Sequence, residues 1–280
     1  MLILKDVESL KRWRNKLNGN IGFVPTMGAL HEGHLSLIKN SRNTCDNTIV
    51  SIFVNPTQFN NKDDFKNYPS TLQNDLKQTK LHSTNAVFLP TNKMMYPENF
   101  STYVEENDLS THLEGDSRPG HFKGVTTIIA KFFNIIQPTH AFFGKKDAQQ
   151  LRVIQQMVKD LNFNVKIIPC KIIREKSGLA MSSRNKNLSP EYRKKASIIK
   201  KGLDLAKIAL DNGERSTNNL KKYIHSKINS EPVATIIYVS IADNNSMLEV
   251  EKIENKDILI SVAVNFGNIR LIDNFTYSVS

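Results

Sequence analysis

Two histidines three residues apart, His31 and His34, follow a small-residue loop in the stretch IGFVPTMGALHEGHLSLIKNS, residues 21–41. At a helix start, residues at that spacing lie on roughly one side. A helix start also has unsatisfied N–H groups and the positive end of the helix dipole, which together favour an anion such as phosphate. Imidazoles placed there can donate to phosphoryl oxygens and balance charge during displacement at phosphorus. Three further stretches carry related chemistry. Gln58, in NPTQF, can hydrogen-bond a hydroxyl or a carboxylate, or simply cap its own turn. Gly144, Lys145, Lys146 and Asp147 pair a glycine that admits a ligand to the backbone with a lysine that meets phosphate as a point charge; Gln149 and Gln150 follow. Met181, Ser182, Ser183, Arg184 and Asn185 offer hydroxyls and a guanidinium suited to clamping and releasing a triphosphate.

The elements that must position these residues alternate. Val7, Leu10, Trp13 and Leu17 predict an amphipathic helix over 6–17. An apolar run at 21–24, stopped by Pro25, is the first strand, and a helix follows from Gly33 to about Asn43. The β-branched run 48–54 predicts a buried parallel strand ending at Pro56. Gln58 then stands just past a strand's carboxyl end, where ligands bind in open α/β sheets. Residues 60–68 read as a polar loop, 69–81 as a helix with Leu72, Leu76 and Leu81 inward, and 86–89 as a short strand. Residues 91–122 form a long irregular excursion. A helix over 124–136, a strand at 141–143, a helix over 148–161 and a strand at 165–173 complete this half. The pattern implies right-handed βαβ crossovers and a Rossmann-like parallel sheet flanked by helices.

The second half changes character. Ser189 as N-cap and Pro190 behind it start a helix whose apolar positions run from Ala196 to Leu210. A second helix covers about 217–228, and strands fall at 236–241, 258–264 and 270–275. The expected organisation is an ATP- and substrate-binding domain over 1–176 and a smaller α+β domain over 177–280 that closes over the site, with Ser177-Gly178 as hinge.

Composition narrows the classes. With 280 residues, 39% hydrophobic and 23% charged, the chain can bury a full core. Cys45 and Cys170 form no disulfide framework and no metal cluster, which points to a reducing compartment. No apolar run is long enough to span a membrane, and the N-terminal segment lacks the apolar stretch of a signal peptide. Residues 171–230 hold fifteen basic and five acidic residues, nearly the whole net charge of +11. That window is either a solvated lysine-rich surface or a basic wall facing ATP or, less readily, RNA.

The serine-rich stretch at 181–185 resembles the KMSKS loop that accompanies the HIGH motif in class I aminoacyl-tRNA synthetases and related nucleotidylyl transferases. The resemblance then widens. PTMGALHEGH at 25–34, SIFVNPTQF at 51–59, LEGDSRPGHFKGV at 113–125, FGKKDAQQL at 143–151 and MSSRN at 181–185 resemble the pantoate–β-alanine ligase (pantothenate synthetase) family over nearly the whole chain. The resemblance implies condensation of (R)-pantoate with β-alanine, with ATP cleaved to AMP and pyrophosphate, Mg²⁺ required, in a cytoplasmic homodimer acting on small molecules and not on nucleic acid or membrane. By the same resemblance, Met27, Gly28, Ala29, Leu30, His31, Glu32, Gly33 and His34 line the ATP site, with His34 as proton donor and His31 its partner on phosphate. Gly144, Lys145, Lys146, Asp147, Ile173, Met181, Ser182, Ser183 and Arg184 match further ATP contacts. Of these, Lys146, Ser182, Ser183 and Arg184 join the two histidines in catalysis. Gln58 and Gln150 match the pantoate positions, Gln58 also reaching β-alanine. Arg118 and His121 are candidate substrate-side residues, and Asp75 a candidate Mg²⁺ neighbour. Two positions depart from the family pattern: Lys145 stands where Glu is usual, and Ser70 follows Tyr68-Pro69 where Arg is usual. Two rival readings share some motifs: a nucleotidylyl transferase acting on a phosphate-bearing acceptor, and an RNA-binding synthetase relative. The first gives no role to the two glutamines; the second lacks room for an anticodon module.

Overall fold

The computed structural model describes residues 1–254 and 256–278. The chain divides into two units, 1–145 with 149–171, and 146–148 with 172–280. The division after Lys171 falls ahead of Lys176, and three residues behind Lys145 group with the second unit.

The first unit runs β1 (Leu2–Leu4), α1 (Val7–Arg14), β2 (Ile21–Thr26), α2 (Glu32–Thr44), β3 (Asn47–Ile52), α3 (Lys62–Lys66), α4 (Leu72–Leu81), β4 (Ala86–Phe88), α5 (Asn92–Met95), α6 (Glu114–Ser117), α7 (His121–Ile136), β5 (His140–Gly144), α8 (Ala148–Asp160) and β6 (Lys166–Cys170). Its strands form one parallel sheet in the order β1-β4-β3-β2-β5-β6. Both faces are covered. Leu10 and Trp13 of α1, Phe132, Phe133 and Ile136 of α7 and Ile154 of α8 pack with Phe23, Ile49 and Phe88. On the other face Leu35 and Ile38 of α2 pack with Val24, Val50 and Phe142. The free thiols Cys45 and Cys170 are buried in that second cluster. No helix among the described residues is long and apolar enough to cross a membrane.

The chain reverses direction across the sheet at β2. Through β3 and β4 it moves one way; it then returns to lay β5 on the opposite side of β2. β2 pairs with β3 along its full length, from Ile21↔Asn47 to Thr26↔Ile52, but with β5 only at Gly22↔His140 and Phe23↔Ala141. Beyond these pairs β2 and β5 part at their carboxyl ends, which is the switch-point crevice where open α/β sheets bind ligands. The same parting explains why β2 continues through Pro25 to Thr26. Phe53 N–H donates to Thr26 C=O at 3.0 Å, so Thr26 faces β3 and, by alternation, Pro25 faces the side from which β5 has departed. The missing N–H costs no ladder bond there.

Several elements differ from the sequence expectation. β1 is a three-residue edge strand, too short to show a period. The 60–68 loop contains α3, whose first N–H groups are capped by Asn61 Oδ1. In α4 the inward positions are Asp75 and Thr79, whereas Leu72 and Leu81 are 40% and 65% exposed. α7 begins at His121, ahead of Gly124.

The second unit contains α9 (Pro190–Lys195), α10 (Ile198–Asp211), α11 (Thr217–Asn229), β7 (Ala234–Asp243), β8 (Ile258–Phe266) and β9 (Ile269–Tyr277). The three strands form an antiparallel meander. Ile199, Leu203, Leu210, Leu220, Ile224 and Ile228 of the helices pack on Ile241, Ile260, Val262, Val264 and Phe266 of the sheet. Ser189 caps α9 by accepting from Tyr192 N–H, as expected, but the one long helix read from the sequence is two, interrupted at Ala196-Ser197. Asp273, 2% exposed, is held by Arg174 through Nη1 at 2.6 Å and Nη2 at 2.9 Å, a fork-on-carboxylate pair that ties the segment entering this unit to β9.

Candidate active site

The loop leaving β2 turns through Gly28 at φ +84° and Ala29 at φ +50°. Glycine accepts the left-handed region freely, and a Cβ at Gly28 would approach Asp75 Oδ2 to 3.1 Å. Asp75 is what fixes this loop. Buried to 1% exposure, its Oδ2 accepts from Ala29 N–H at 2.9 Å, and its Oδ1 accepts from Leu30 N–H at 2.9 Å and from Thr71 Oγ1–H at 3.0 Å. Two backbone N–H groups and the Thr71 hydroxyl thus occupy the carboxylate that the sequence offered as a neighbour of Mg²⁺. Thr26 Oγ1 completes the turn by donating to Ser51 C=O at 2.7 Å and accepting Gly28 N–H at 3.2 Å.

His31 is the N-cap of α2. Its Nδ1 accepts Gly33 N–H at 3.1 Å, which in the neutral ring puts the proton on Nε2. His34 stacks on it with ring centroids 4.1 Å apart. The sequence-predicted pair is therefore brought together, on the first turn of a thirteen-residue helix. Glu32 and Gly33 share that turn, and Ala29 and Leu30 are buried behind it.

The turn at 55–58 meets this loop. Gln58 Nε2 lies 3.1 Å from Met27 Sδ, and Gln58 Oε1 accepts from Asn55 Nδ2 at 3.0 Å. The start of α7 presses against the turn so closely that a Cβ at Gly124 would sit 2.4 Å from Thr57 O. His121 Nδ1 lies 2.8 Å from Gln58 C=O; a carbonyl only accepts, so Nδ1 carries the proton and Nε2 accepts from Arg118 Nη1 at 3.3 Å. Arg118 also pairs with Glu114 at 3.5 Å. Arg118 and His121 thus form one cluster with the Gln58 backbone.

The two glutamines of α8 part company. Gln149 is 5% exposed; its amide donates to Leu109 C=O at 2.8 Å and His112 C=O at 2.6 Å and accepts Glu114 N–H at 3.0 Å. It straps down the excursion around Leu113, whose φ of +51° is unusual for a side chain of that size. Gln150, the sequence-predicted ligand residue, is half-buried in the same turn. Gly144 ends β5 and Lys145 follows it.

In the second unit, Lys146 Nζ lies 3.2 Å from Asp147 Oδ1, and the Lys146 carbonyl accepts from Asn274 Nδ2 of β9 at 2.7 Å. Met181 N–H donates to Ile173 C=O at 2.9 Å, which brings those two predicted residues together. Ser182 caps its own turn by accepting Arg184 N–H at 3.3 Å. Asn185, 2% exposed, donates to Ala180 C=O at 3.0 Å and Glu175 Oε1 at 2.8 Å. Much of the basic window 171–230 is paired: Lys195 with Glu191 and Glu231, Lys200 with Asp204, Lys207 with Asp211 and Arg193 with Glu175. Among the described residues no group of three or more His, Cys, Asp or Glu side chains is placed to hold a metal ion.

A doubly wound parallel sheet, opened at its switch point beside a histidine-capped helix start, defines a Rossmann-like enzyme of the HIGH-motif nucleotide-binding class. The profile of the family described as Pantoate-beta-alanine ligase matches residues 2–276, and the chain belongs to that family. Pantothenate synthetase of Clostridium botulinum is 50% identical over 277 residues, 99% of this chain and 98% of the relative. That of Acetivibrio thermocellus is 49% identical over 276 residues, covering 99% and 98%. Among solved structures, pantothenate synthetase of Thermus thermophilus superposes with a TM-score of 0.93 at 37% identity, covering 98% of this chain and 99% of that one. Pantoate-beta-alanine ligase of Francisella tularensis, complexed with beta-gamma ATP and beta-alanine, does so with a TM-score of 0.78 at 38% identity, covering 98% and 97%.

Proposed function

We infer that the chain condenses (R)-pantoate with β-alanine, cleaving ATP to AMP and pyrophosphate by way of a pantoyl adenylate. The membership over residues 2–276 supports the reaction. The observation that carries the site reading is the meeting of Gln58 with Met27 at 3.1 Å, which joins a neutral amide to the histidine loop. A neutral amide suits a hydroxyl or carboxylate acceptor, whereas a phosphate-bearing acceptor calls for cations.

The chemistry assigns the roles. A carboxylate is a nucleophile at neutral pH, so the first step needs no base. Pantoate, held by Gln58 and Gln150, attacks the α-phosphorus in line. His34 donates to the phosphates with His31 beside it, and Lys146, Ser182, Ser183 and Arg184 take up charge on the phosphoryl oxygens and the departing pyrophosphate. Met27, Gly28, Gly33, Gly144, Lys145, Asp147, Ile173 and Met181 complete the nucleotide contacts by the same resemblance. The neutral amine of β-alanine then attacks the acyl carbon and AMP leaves. Mg²⁺, where it accompanies the triphosphate, would supply charge neutralisation, and no cluster of three or more His, Cys, Asp or Glu side chains among the described residues would hold it apart from the nucleotide. The commitment of Asp75 to backbone N–H groups agrees with this. A cytoplasmic homodimer is the form that the family resemblance supports; a solution mass twice 31.8 kDa would bear it out and a single mass would refute it.

The test is AMP release from ATP. Release that requires both pantoate and β-alanine is the expected result. Pyrophosphate release with a phosphate-bearing acceptor and no pantoate, the AMP remaining on that acceptor, would overturn the assignment.

A further inference from the structure

Asn55 is 1% exposed, and its side-chain amide is fully occupied. Nδ2 donates to Gly124 C=O at 3.1 Å and to Gln58 Oε1 at 3.0 Å. Oδ1 accepts from Tyr96 Oη–H at 2.7 Å and from Thr57 Oγ1–H at 2.9 Å. The orientation of this amide is forced. A backbone carbonyl can only accept, so the end facing Gly124 must be the NH₂. The second proton of that NH₂ requires an acceptor, so the end of Gln58 facing Asn55 must be its oxygen. The NH₂ of Gln58 is then the end that faces away from Asn55, toward Met27.

We propose that Asn55 and Tyr96 are positioning residues that set the polarity of Gln58, so that the pantoate subsite presents an N–H donor and selects a ligand oxygen with a free lone pair. The proposal rests on the reading of Gln58 as a pantoate contact. It adds a direction to that contact: a carboxylate or hydroxyl oxygen is matched, while an ammonium or amide N–H would face a donor. The ammonium end of β-alanine is thereby kept off the position that pantoate must occupy. Burial pushes the Tyr96 hydroxyl above its usual range, so it remains a proton donor at neutral pH. Neither Asn55 nor Tyr96 needs to touch substrate; both act through Gln58.

The experiment is a kinetic cycle on the full chain, with Tyr96→Phe, Asn55→Asp, Gln58→Ala and the double variant Tyr96→Phe/Gln58→Ala, and with each substrate varied in turn. Asn55→Asp removes both donors and leaves Gln58 free to turn over; its KM for pantoate should rise about a hundredfold. Tyr96→Phe should raise KM for pantoate about five- to tenfold and change KM for ATP by less than about twofold. In the Gln58→Ala background Tyr96→Phe should have no further effect, because the group it orients is gone. Additive effects in the double variant, or KM for ATP rising in step with that for pantoate, would overturn the proposal while leaving Gln58 a pantoate contact. An unchanged KM for pantoate in Gln58→Ala would overturn that contact and the proposal together. Should Tyr96→Phe fail to fold, as read by its melting curve, Thr57→Val enters the same cycle, with the same outcomes deciding.

Discussion

The loop at 27–34 and the loop at 181–185 both carry residues proposed to meet the triphosphate, but only the first also draws on a partner far away in the chain. The first takes its shape from a distance: Asp75, 46 positions from Ala29 and 45 from Leu30, accepts their N–H groups from inside α4. The second is held by its neighbours. Ser182 caps the turn over two residues, and Asn185 reaches back five residues to Ala180 and ten to Glu175. The first loop has local bonds too, at Thr26 and His31, but two of its N–H groups converge on one buried carboxylate, which concentrates part of its stability in a single distant group. A loop fixed by several local bonds spreads it.

Four experiments sharpen or break this contrast. The largest effect is expected on chemistry, in either loop's neighbourhood. His34→Ala and Lys146→Ala should each lower the rate of adenylate formation about 10²- to 10³-fold with an unchanged melting temperature. Pyrophosphate release near the wild-type rate in such a variant would remove that residue from the phosphate site. Next comes Asp75→Asn, which turns an acceptor of three hydrogen bonds into a group with an NH₂ facing a backbone N–H. A loss of about 2–3 kcal/mol in urea unfolding, with a raised KM for ATP, is expected. Loss of stability without any change in KM would mean that the loop's shape does not serve the nucleotide. Gly28→Ala adds a Cβ at positive φ, 3.1 Å from Asp75 Oδ2, and should cost about 1–2 kcal/mol by the same measurement. Asn185→Ala should cost the least, about 1 kcal/mol, with KM for ATP little altered because Ser182 still caps the turn. A larger penalty at Asn185 than at Asp75 would reverse the comparison.

The same difference in reach separates what was legible in the sequence from what was not. The histidine pair, the Gln58 turn and the serine loop announce themselves because their residues are close in the chain and follow strands with strong apolar runs. Asp75 gives no such signal. The leucines of α4 suggested an apolar inward face, yet the buried positions are Asp75 and Thr79, four residues apart, and Asp75 is there because the backbone N–H groups of Ala29 and Leu30 require an acceptor. Gln149 and Gln150 are indistinguishable in sequence. One turns inward to three backbone partners and the other does not, a matter of which side of α8 faces the strained turn at Leu113. Tyr96 sits in an irregular excursion, and only the fold brings its hydroxyl to Asn55.

By itself, then, the chain's pattern of apolar runs, caps and prolines determined the alternation of strands and helices, the parallel sheet, a smaller second α+β unit and the four chemical stretches. These are local consequences of periodicity and residue type. Tertiary structure alone decided which carboxylate shapes the histidine loop, how far β2 and β5 stay paired, and which end of the Gln58 amide is offered. Each of these is a hydrogen-bond balance among groups far apart in sequence, and such a balance is closed only when the buried donors and acceptors meet.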